Sequence, residues 1–332
     1  MNEDVMLRAD EKKINWYPGH MARAKRALAD QLSRVDVVVE LCDARIPRAS
    51  RNPDLADMMK NKRHLLVLGK ADLADERETR AWLGYFRAQG IDCMSFDSIR
   101  GKAKDIIARI EKASADAVAK MAAKGVKKTV RVMIVGVPNV GKSSLINRMT
   151  GKKSAQTGDR PGVTRGKQWL RLQNGMQLLD TPGILWPKFE DPKAGLNLAF
   201  CGSIKDEILD VPTLAMELIG VLAEHYPQLL MDRYKLEETG ETPLETMEMM
   251  AQKRGCILPG KRIDYERIGK LTLDEFRGGK IGRITLELPP VPAKSPAGGN
   301  GDPADHSLAG ATCSADDFAV ADSHSPAETP AK

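Results

Sequence analysis

The stretch Gly136-Val-Pro-Asn-Val-Gly-Lys-Ser143 restricts the possible folds of this chain more than any other feature. It matches the pattern G-x-x-x-x-G-K-[ST], and it stands between an apolar run of strand length, residues 130–136, and a helical stretch. In such a loop, glycines let backbone N–H groups curl around phosphate oxygens. We expect Lys142 to reach the β- and γ-phosphates and the Ser143 hydroxyl to ligate Mg²⁺. The residues assigned to nucleotide binding here are Asn139, Val140, Gly141, Lys142, Ser143 and Ser144.

A second motif, Asp180-Thr-Pro-Gly183, follows another apolar run about forty residues downstream. By itself it is an ordinary turn sequence, but its distance from the phosphate loop favours a functional role. We expect Asp180 to lie on the Mg²⁺ side and the Gly183 N–H to face the γ-phosphate. The polar loop between the two motifs contains Thr164, the candidate for a switch residue that closes on Mg²⁺ only in the triphosphate state. Thr157 is the alternative.

Two further loops precede the phosphate loop. Gly69-Lys-Ala-Asp72 ends an apolar run and differs by one residue from Asn-Lys-x-Asp, the loop with which GTPases read guanine. Because the Asp72 carboxylate can accept from both N1–H and the 2-amino group of guanine, we favour GTP over ATP. Gly69 lacks the usual Asn side chain, so guanine affinity is expected to be weakened. The residues assigned to base contacts are Lys70, Ala71 and Asp72, with Asp97 and Ser98 from the loop that follows the next strand.

The order of these loops sets the predicted fold. Strands alternating with helices indicate an α/β fold with a parallel sheet, and ligands of such sheets bind at the carboxyl ends of the strands. Base loops that precede the phosphate loop predict a P-loop GTPase domain with a circularly permuted motif order. We assign residues 1–190 to this domain, including an N-terminal segment 1–34. We assign 191–288 to an all-α domain and 289–332 to a disordered tail rich in Pro, Ala, Gly and Ser.

Four stretches together resemble the bacterial ribosome-biogenesis GTPase A family of circularly permuted GTPases, assembly factors for the large ribosomal subunit. They are INWYPGHMARAKRAL (14–28), DVVVELCDARIPRASRNP (36–53), GVPNVGKSSLIN (136–147) and RPGVTRGKQW (160–169). The resemblance covers roughly residues 12–288. It implies a GTPase that binds GTP and GDP, with ribosomal RNA and proteins of the large-subunit precursor as partners. It also implies that the all-α domain at 191–288 is the RNA- or ribosome-binding domain.

Hydrolysis requires a group that orients water, and the motif alone does not supply it. Many GTPases place Gln directly after the switch glycine, whereas this chain has Ile184, so slow intrinsic hydrolysis is predicted. The family resemblance points to His20 as the catalytic group, although a lone histidine in such a loop is more often structural. Asn139 resembles the residue with which related GTPases bind K⁺ near the phosphates; its alternative role is to shape the loop.

Charge favours a polyanionic partner. The net charge is +6, but residues 289–332 hold two lysines against six acidic residues, so residues 1–288 carry +10. A basic body is typical of nucleic-acid binding, although a solvated basic face is the alternative. The basic residues of the later helical part are Lys253, Arg254, Lys261, Arg262, Arg267, Lys270, Arg277, Lys280 and Arg283; Arg23, Lys25 and Arg26 add to them near the N-terminus.

Other features of the sequence bound the cellular setting and the function. The charged N-terminus resembles no secretory signal, no apolar run has the length of a membrane span, and five scattered cysteines suggest reduced thiols. We therefore expect a cytoplasmic monomer without a membrane partner. A nucleotide-gated RNA-binding scaffold with little hydrolysis is the alternative function, and a GTPase that acts on another RNA or protein is a third.

Overall fold

A computed structural model describes residues 28–59, 62–151, 168–172, 174–180 and 191–290. Its main feature is a six-stranded sheet in the order β3-β2-β1-β4-β6-β5. Neighbouring strands are parallel except for β5, which runs antiparallel to β6. The strands are β1 (Val37–Asp43), β2 (Arg63–Gly69), β3 (Cys93–Ser95), β4 (Arg131–Val135), β5 (Gln168–Arg171) and β6 (Gln177–Asp180).

The central strand β1 is buried along its whole length, as expected for a parallel strand covered on both faces. Its residues alternate between opposite faces of the sheet. Val39 and Leu41 join one large apolar cluster, whereas Val38 and Cys42 belong to two others. Val39 pairs with Leu65 of β2 and with Ile134 of β4, so the strands that carry the base loop and the phosphate loop flank β1 directly.

The helices begin at residues suited to capping. Asp75 accepts from the backbone N–H groups of Arg77 and Glu78, and Thr242 forms a capping box with Glu245. The described helices are α1 (residues 28–33), α2 (Pro53–Met58), α3 (Glu76–Ala88), α4 (Ala103–Ala122), α5 (Lys142–Thr150), α6 (Pro192–Phe200), α7 (Val211–His225), α8 (Pro227–Tyr234), α9 (Pro243–Lys253) and α10 (Tyr265–Arg277), with a 3₁₀ turn at Asp206–Ile208.

The helices after residue 191 share their core with the sheet. One continuous apolar cluster contains Val39 and Ile134 from the strands together with Leu218, Met250 and Phe276 from α7, α9 and α10. The boundary predicted at 190/191 stays a prediction. No helix in the described part of the chain has both the length and the apolarity to cross a bilayer.

Two short strand features were not predicted. A hairpin of β7 (Ile257–Leu258) and β8 (Arg262–Ile263) lies within the otherwise helical region, with Gly260 and Lys261 at positive φ in its turn. In addition, β5 begins at Gln168, within a stretch read as loop. Strands of two to four residues are too short for their alternation to be recognised in a sequence.

Candidate nucleotide-binding site

The candidate loops converge on the carboxyl edge of the sheet. The two base loops follow β2 and β3, the phosphate loop follows β4, and Asp180, the candidate on the Mg²⁺ side, ends β6. Reading the strands from β4 to β6 and then from β1 to β3 gives phosphate loop, switch regions and base loops, the ordinary order of a GTPase. The predicted α/β fold with circularly permuted motifs is therefore confirmed.

The phosphate loop has the backbone shape that the motif requires. A Cβ atom on Gly136 would lie 2.3 Å from the Leu41 carbonyl oxygen, so only glycine fits beside β1. Asn139 and Gly141 both have positive φ, 57° and 104°, which turns successive N–H groups toward one side. Gly141 is also the N-cap of α5 and provides no side-chain cap, so the positive end of the helix faces the loop.

The predicted phosphate-binding side chains divide into exposed and buried ones. Ser144 is exposed in the first turn of α5 and Ser143 is partly buried, whereas the Val140 side chain lies in the apolar core, so Val140 can contact a ligand only through its backbone. The Lys142 amine donates to the carbonyls of Gly136 at 3.1 Å and Val137 at 2.8 Å. An ammonium group has three N–H donors, so contact with a phosphate does not require the amine to leave both carbonyls.

The donor set fits Mg²⁺, which prefers oxygen ligands and which GTPases in general require. Ser143 lies in the first turn of α5, and Asp180 ends β6, the strand beside β4. The structure describes Asp180 by its backbone alone. Three other predicted residues, His20, Thr164 and Gly183, lie outside the described residues.

The two base loops are joined by hydrogen bonds through the predicted residues. The Ser98 N–H donates to Asp72 Oδ1 at 2.6 Å, and the Lys70 N–H donates to Ser98 Oγ at 3.2 Å. The Ala71 N–H donates to the Phe96 carbonyl at 3.2 Å. Lys70 has a φ of 54°, which turns the chain sharply at the end of β2. The structure thus holds Lys70, Ala71, Asp72 and Ser98 together at one point.

The Asp97 side chain accepts hydrogen bonds from the backbone of the turn that follows it. Its Oδ1 accepts from the N–H groups of Arg100 and Ile99, both at 2.6 Å, and these bonds lower the pKa of its carboxyl group. This side chain therefore shapes the second base loop, and its predicted contact with the base stays a prediction.

The backbone does not require glycine at position 69. A Cβ atom there would lie 2.9 Å from Leu41 Cδ1, the far end of a flexible side chain, and Gly69 has no positive φ. A small movement of Leu41 would admit the asparagine that is usual in this loop. The departure from Asn-Lys-x-Asp is therefore not enforced by packing.

A buried ion pair at the end of β1 was missed by the sequence reading. Asp43 and Arg45 are 3% and 1% exposed and form a bidentate pair, with Nη2–Oδ2 at 2.8 Å and Nε–Oδ1 at 2.9 Å. The Lys70 amine lies 3.1 Å from the same carboxylate. Burial opposes ionisation of Asp43, but the charges of Arg45 and Lys70 outweigh it and hold its pKa well below the usual range. The signal in the sequence was Asp43-x-Arg45, two opposite charges at the end of an apolar strand.

Both nucleotide loops also contact the helical region. Asn139 Nδ2 donates to the Gly202 carbonyl at 2.7 Å, and Ser203 Oγ donates to the Pro138 carbonyl at 2.9 Å. From the base side, Arg283 Nη2 donates to the Ala71 carbonyl at 3.1 Å. The phosphate loop is therefore bonded to the segment after α6, and the base loop is bonded to the segment after α10.

Comparisons with known proteins agree with this geometry. The family described as 50S ribosome-binding GTPase matches residues 131–242. The ribosome biogenesis GTPase A of Bacillus cereus is 46% identical over 278 residues, which cover 83% of this chain and 94% of that protein. The mitochondrial ribosome-associated GTPase 1 of Bos taurus is 32% identical over 298 residues, with coverage of 82% and 88%.

A solved structure gives the same result. The GNP-bound crystal structure of YlqF from T. maritima is 30% identical with a TM-score of 0.60, and the match covers 80% of this chain and 98% of that one. Sequence identity over most of both chains, the permuted fold and the phosphate loop together lead to one conclusion. The chain belongs to the ribosome biogenesis GTPase A family.

Proposed function

We propose that this GTPase is an assembly factor for the large (50S) ribosomal subunit, which binds the precursor particle in its GTP state and hydrolyses GTP for release. GTP hydrolysis itself follows from the family. The names of the relatives support a role in ribosome assembly. The single observation that carries the cycle is the set of bonds from both nucleotide loops to the helical region, such as Asn139 to Gly202. Because of these bonds, a movement of either loop on nucleotide exchange would displace the helical segments bonded to it.

The helical region offers a surface suited to RNA. A cavity of about 570 Å³ lies between the end of α9 and α10. Four of its lining residues are basic, Lys253, Arg254, Arg267 and Lys270, and the others are Cys256, Leu271 and Asp274. Contacts of such side chains with phosphates depend on salt and on the shape of the RNA rather than on its sequence. Part of the predicted basic set has internal partners instead. Arg254 pairs with Glu275, and Arg277 pairs with Asp206 at 2.7 Å, so these two hold the fold together.

Two residues of the proposed catalytic step, His20 and Thr164, lie outside the residues that the structure describes. His20 orients the attacking water, and Thr164 closes on Mg²⁺ in the triphosphate state. When bound, Mg²⁺ neutralises charge between the β- and γ-phosphates, and Ser143 and Asp180 would hold it. K⁺ beside Asn139 would add positive charge as an arginine finger does. An amide ligates a cation through its oxygen, so Oδ1 of Asn139 would be the ligand atom, while its nitrogen donates to the Gly202 carbonyl.

Co-sedimentation with precursor large subunits tests the proposal. Wild type is expected to sediment with the particle in the presence of a non-hydrolysable GTP analogue and to stay largely in the supernatant with GDP. The variant Lys253→Glu/Lys270→Glu removes two exposed lysines of the cavity, and we expect it to bind about tenfold more weakly. Lys120→Glu/Lys124→Glu, with the same charge change on exposed sites of α4 and the turn after it, is the matched control. Equal binding with both nucleotides, or equal loss in both variants, would contradict the proposal.

A further inference from the structure

Near the end of the described chain, residues 281–287 return from α10 to the nucleotide edge of the sheet; we call this segment the strap. Ile281, Ile284 and Leu286 are all buried. The Ile284 N–H donates to the Leu73 carbonyl at 3.0 Å, in the base loop after β2. The Leu286 N–H donates to the Arg45 carbonyl at 2.8 Å, after β1. The strap is thus bonded to the loops of two adjacent strands.

One side chain of the strap reaches the centre of the base loop. Arg283 Nη2 donates to the Ala71 carbonyl at 3.1 Å, and its Nε donates to the Ala74 carbonyl at 2.8 Å. Ala71 stands between Lys70 and Asp72, the two predicted base-reading residues. The loop is consequently held on two sides: its carbonyls accept from Arg283, and the Asp72 carboxylate accepts from the Ser98 N–H.

The strap has an anchor that does not depend on the base loop. The Glu287 carboxylate accepts from the Arg48 N–H at 2.7 Å and from Asn197 Nδ2 at 3.1 Å, and the Trp82 indole donates to the Glu287 carbonyl at 2.8 Å. The Tyr226 hydroxyl donates to the Thr285 carbonyl at 2.9 Å. Removing the Arg283 side chain leaves all of these contacts in place.

We propose that Arg283 is a positioning residue for guanine recognition. By fixing the Ala71 and Ala74 carbonyls, it sets the loop so that the Asp72 carboxylate faces the base edge. These two bonds from Arg283 are important in this chain because Gly69 has no side chain with which to stiffen the loop. The inference rests on the proposed role of Lys70–Asp72 in reading guanine, and it assigns to the C-terminal strap a part in choosing the nucleotide.

The ratio of dissociation constants for inosine diphosphate and GDP tests this role. Inosine lacks the 2-amino group, so the ratio measures the contact between that group and Asp72. In full-length protein we expect Arg283→Ala to lower the ratio about fivefold, as for one charge-assisted hydrogen bond at a half-exposed site. Arg283→Lys, which can donate to one of the two carbonyls, should fall between Arg283→Ala and wild type. Loss of folded protein would lower the amplitude of binding but not the ratio.

Two control variants separate the possible failures. Arg80→Ala removes an exposed arginine that pairs with Glu76, as Arg283 also does, but touches no base loop, so its ratio should equal that of wild type. Asp72→Asn should abolish the preference for GDP. An unchanged ratio in Arg283→Ala together with a lost preference in Asp72→Asn overturns the positioning role alone. An unchanged ratio in Asp72→Asn overturns the base site and the inference with it.

Discussion

Replacing Arg45 by methionine should destabilise the protein strongly, because the guanidinium neutralises a carboxylate that has almost no access to water. The Asp43 and Arg45 side chains are 3% and 1% exposed and share two hydrogen bonds. Breaking a buried pair by removing one partner costs about 3–5 kcal/mol. The Lys70 amine, 3.1 Å from the same carboxylate, stays as a second cation and places the expected loss at the lower end, about 3 kcal/mol.

Urea unfolding followed by tryptophan fluorescence measures this loss as a change in the free energy of unfolding. Arg80→Met is the matched control, since it breaks an exposed pair with Glu76 and is expected to change that free energy by no more than about 0.5 kcal/mol. Adding Asp43→Asn to Arg45→Met removes the unpaired charge and should recover part of the loss. A change of less than about 1 kcal/mol in Arg45→Met would refute the reasoning from burial.

The same pair predicts a pH dependence with a definite sign. The folded-state pKa of Asp43 lies below its unfolded value of about 3.9. Its contribution to stability is therefore complete above that pH and is lost as the pH falls toward the folded pKa. Arg45→Met raises the folded pKa, so its acid unfolding is expected to begin at a higher pH than that of wild type. Identical acid midpoints after correction for overall stability would contradict this assignment.

Three further substitutions test the nucleotide site. Gly69→Asn restores the usual side chain of the base loop after a small shift of Leu41, and it should raise GDP affinity several-fold in titration calorimetry. A lower affinity would show that the glycine is needed. Gly136→Ala should lower GDP affinity at least about tenfold, because its Cβ would lie 2.3 Å from the Leu41 carbonyl oxygen. Unchanged affinity would mean that the loop can move to accommodate the Cβ. Asn139→Ala should remove the bond to Gly202 and reduce the difference in hydrolysis rate between K⁺ and Na⁺ buffers. An undiminished difference would exclude Asn139 as the cation ligand.

The features that the sequence predicts here are local ones. Gly136–Ser143 combines a fixed residue pattern with an apolar strand before it and a helix after it, and Lys70–Asp72 ends a strand in the same way. Both could be placed at the carboxyl edge of a parallel sheet because the strand–loop pattern alone defines that edge.

The features that were missed depend on residues far apart in the chain. Arg45 donates to the carbonyl of Arg277, and Arg283 donates to the carbonyl of Ala71. Nothing in the local pattern of Arg283 distinguishes it from the solvated arginines around it, so it was grouped with the basic surface residues. Its bonds to Ala71 and Ala74 depend on the return of the strap to the sheet, which no local pattern predicts.

Steady-state GTP hydrolysis in K⁺ buffer, with and without purified large ribosomal subunits, tests the central claim most directly. The proposal predicts a low rate for the protein alone and a rise of about tenfold or more with the particle, and it predicts that His20→Ala loses the rise while still binding the particle. No rise with intact nucleotide-dependent binding would contradict the hydrolytic cycle and favour the RNA-binding scaffold. No rise and no binding would contradict the large subunit as partner.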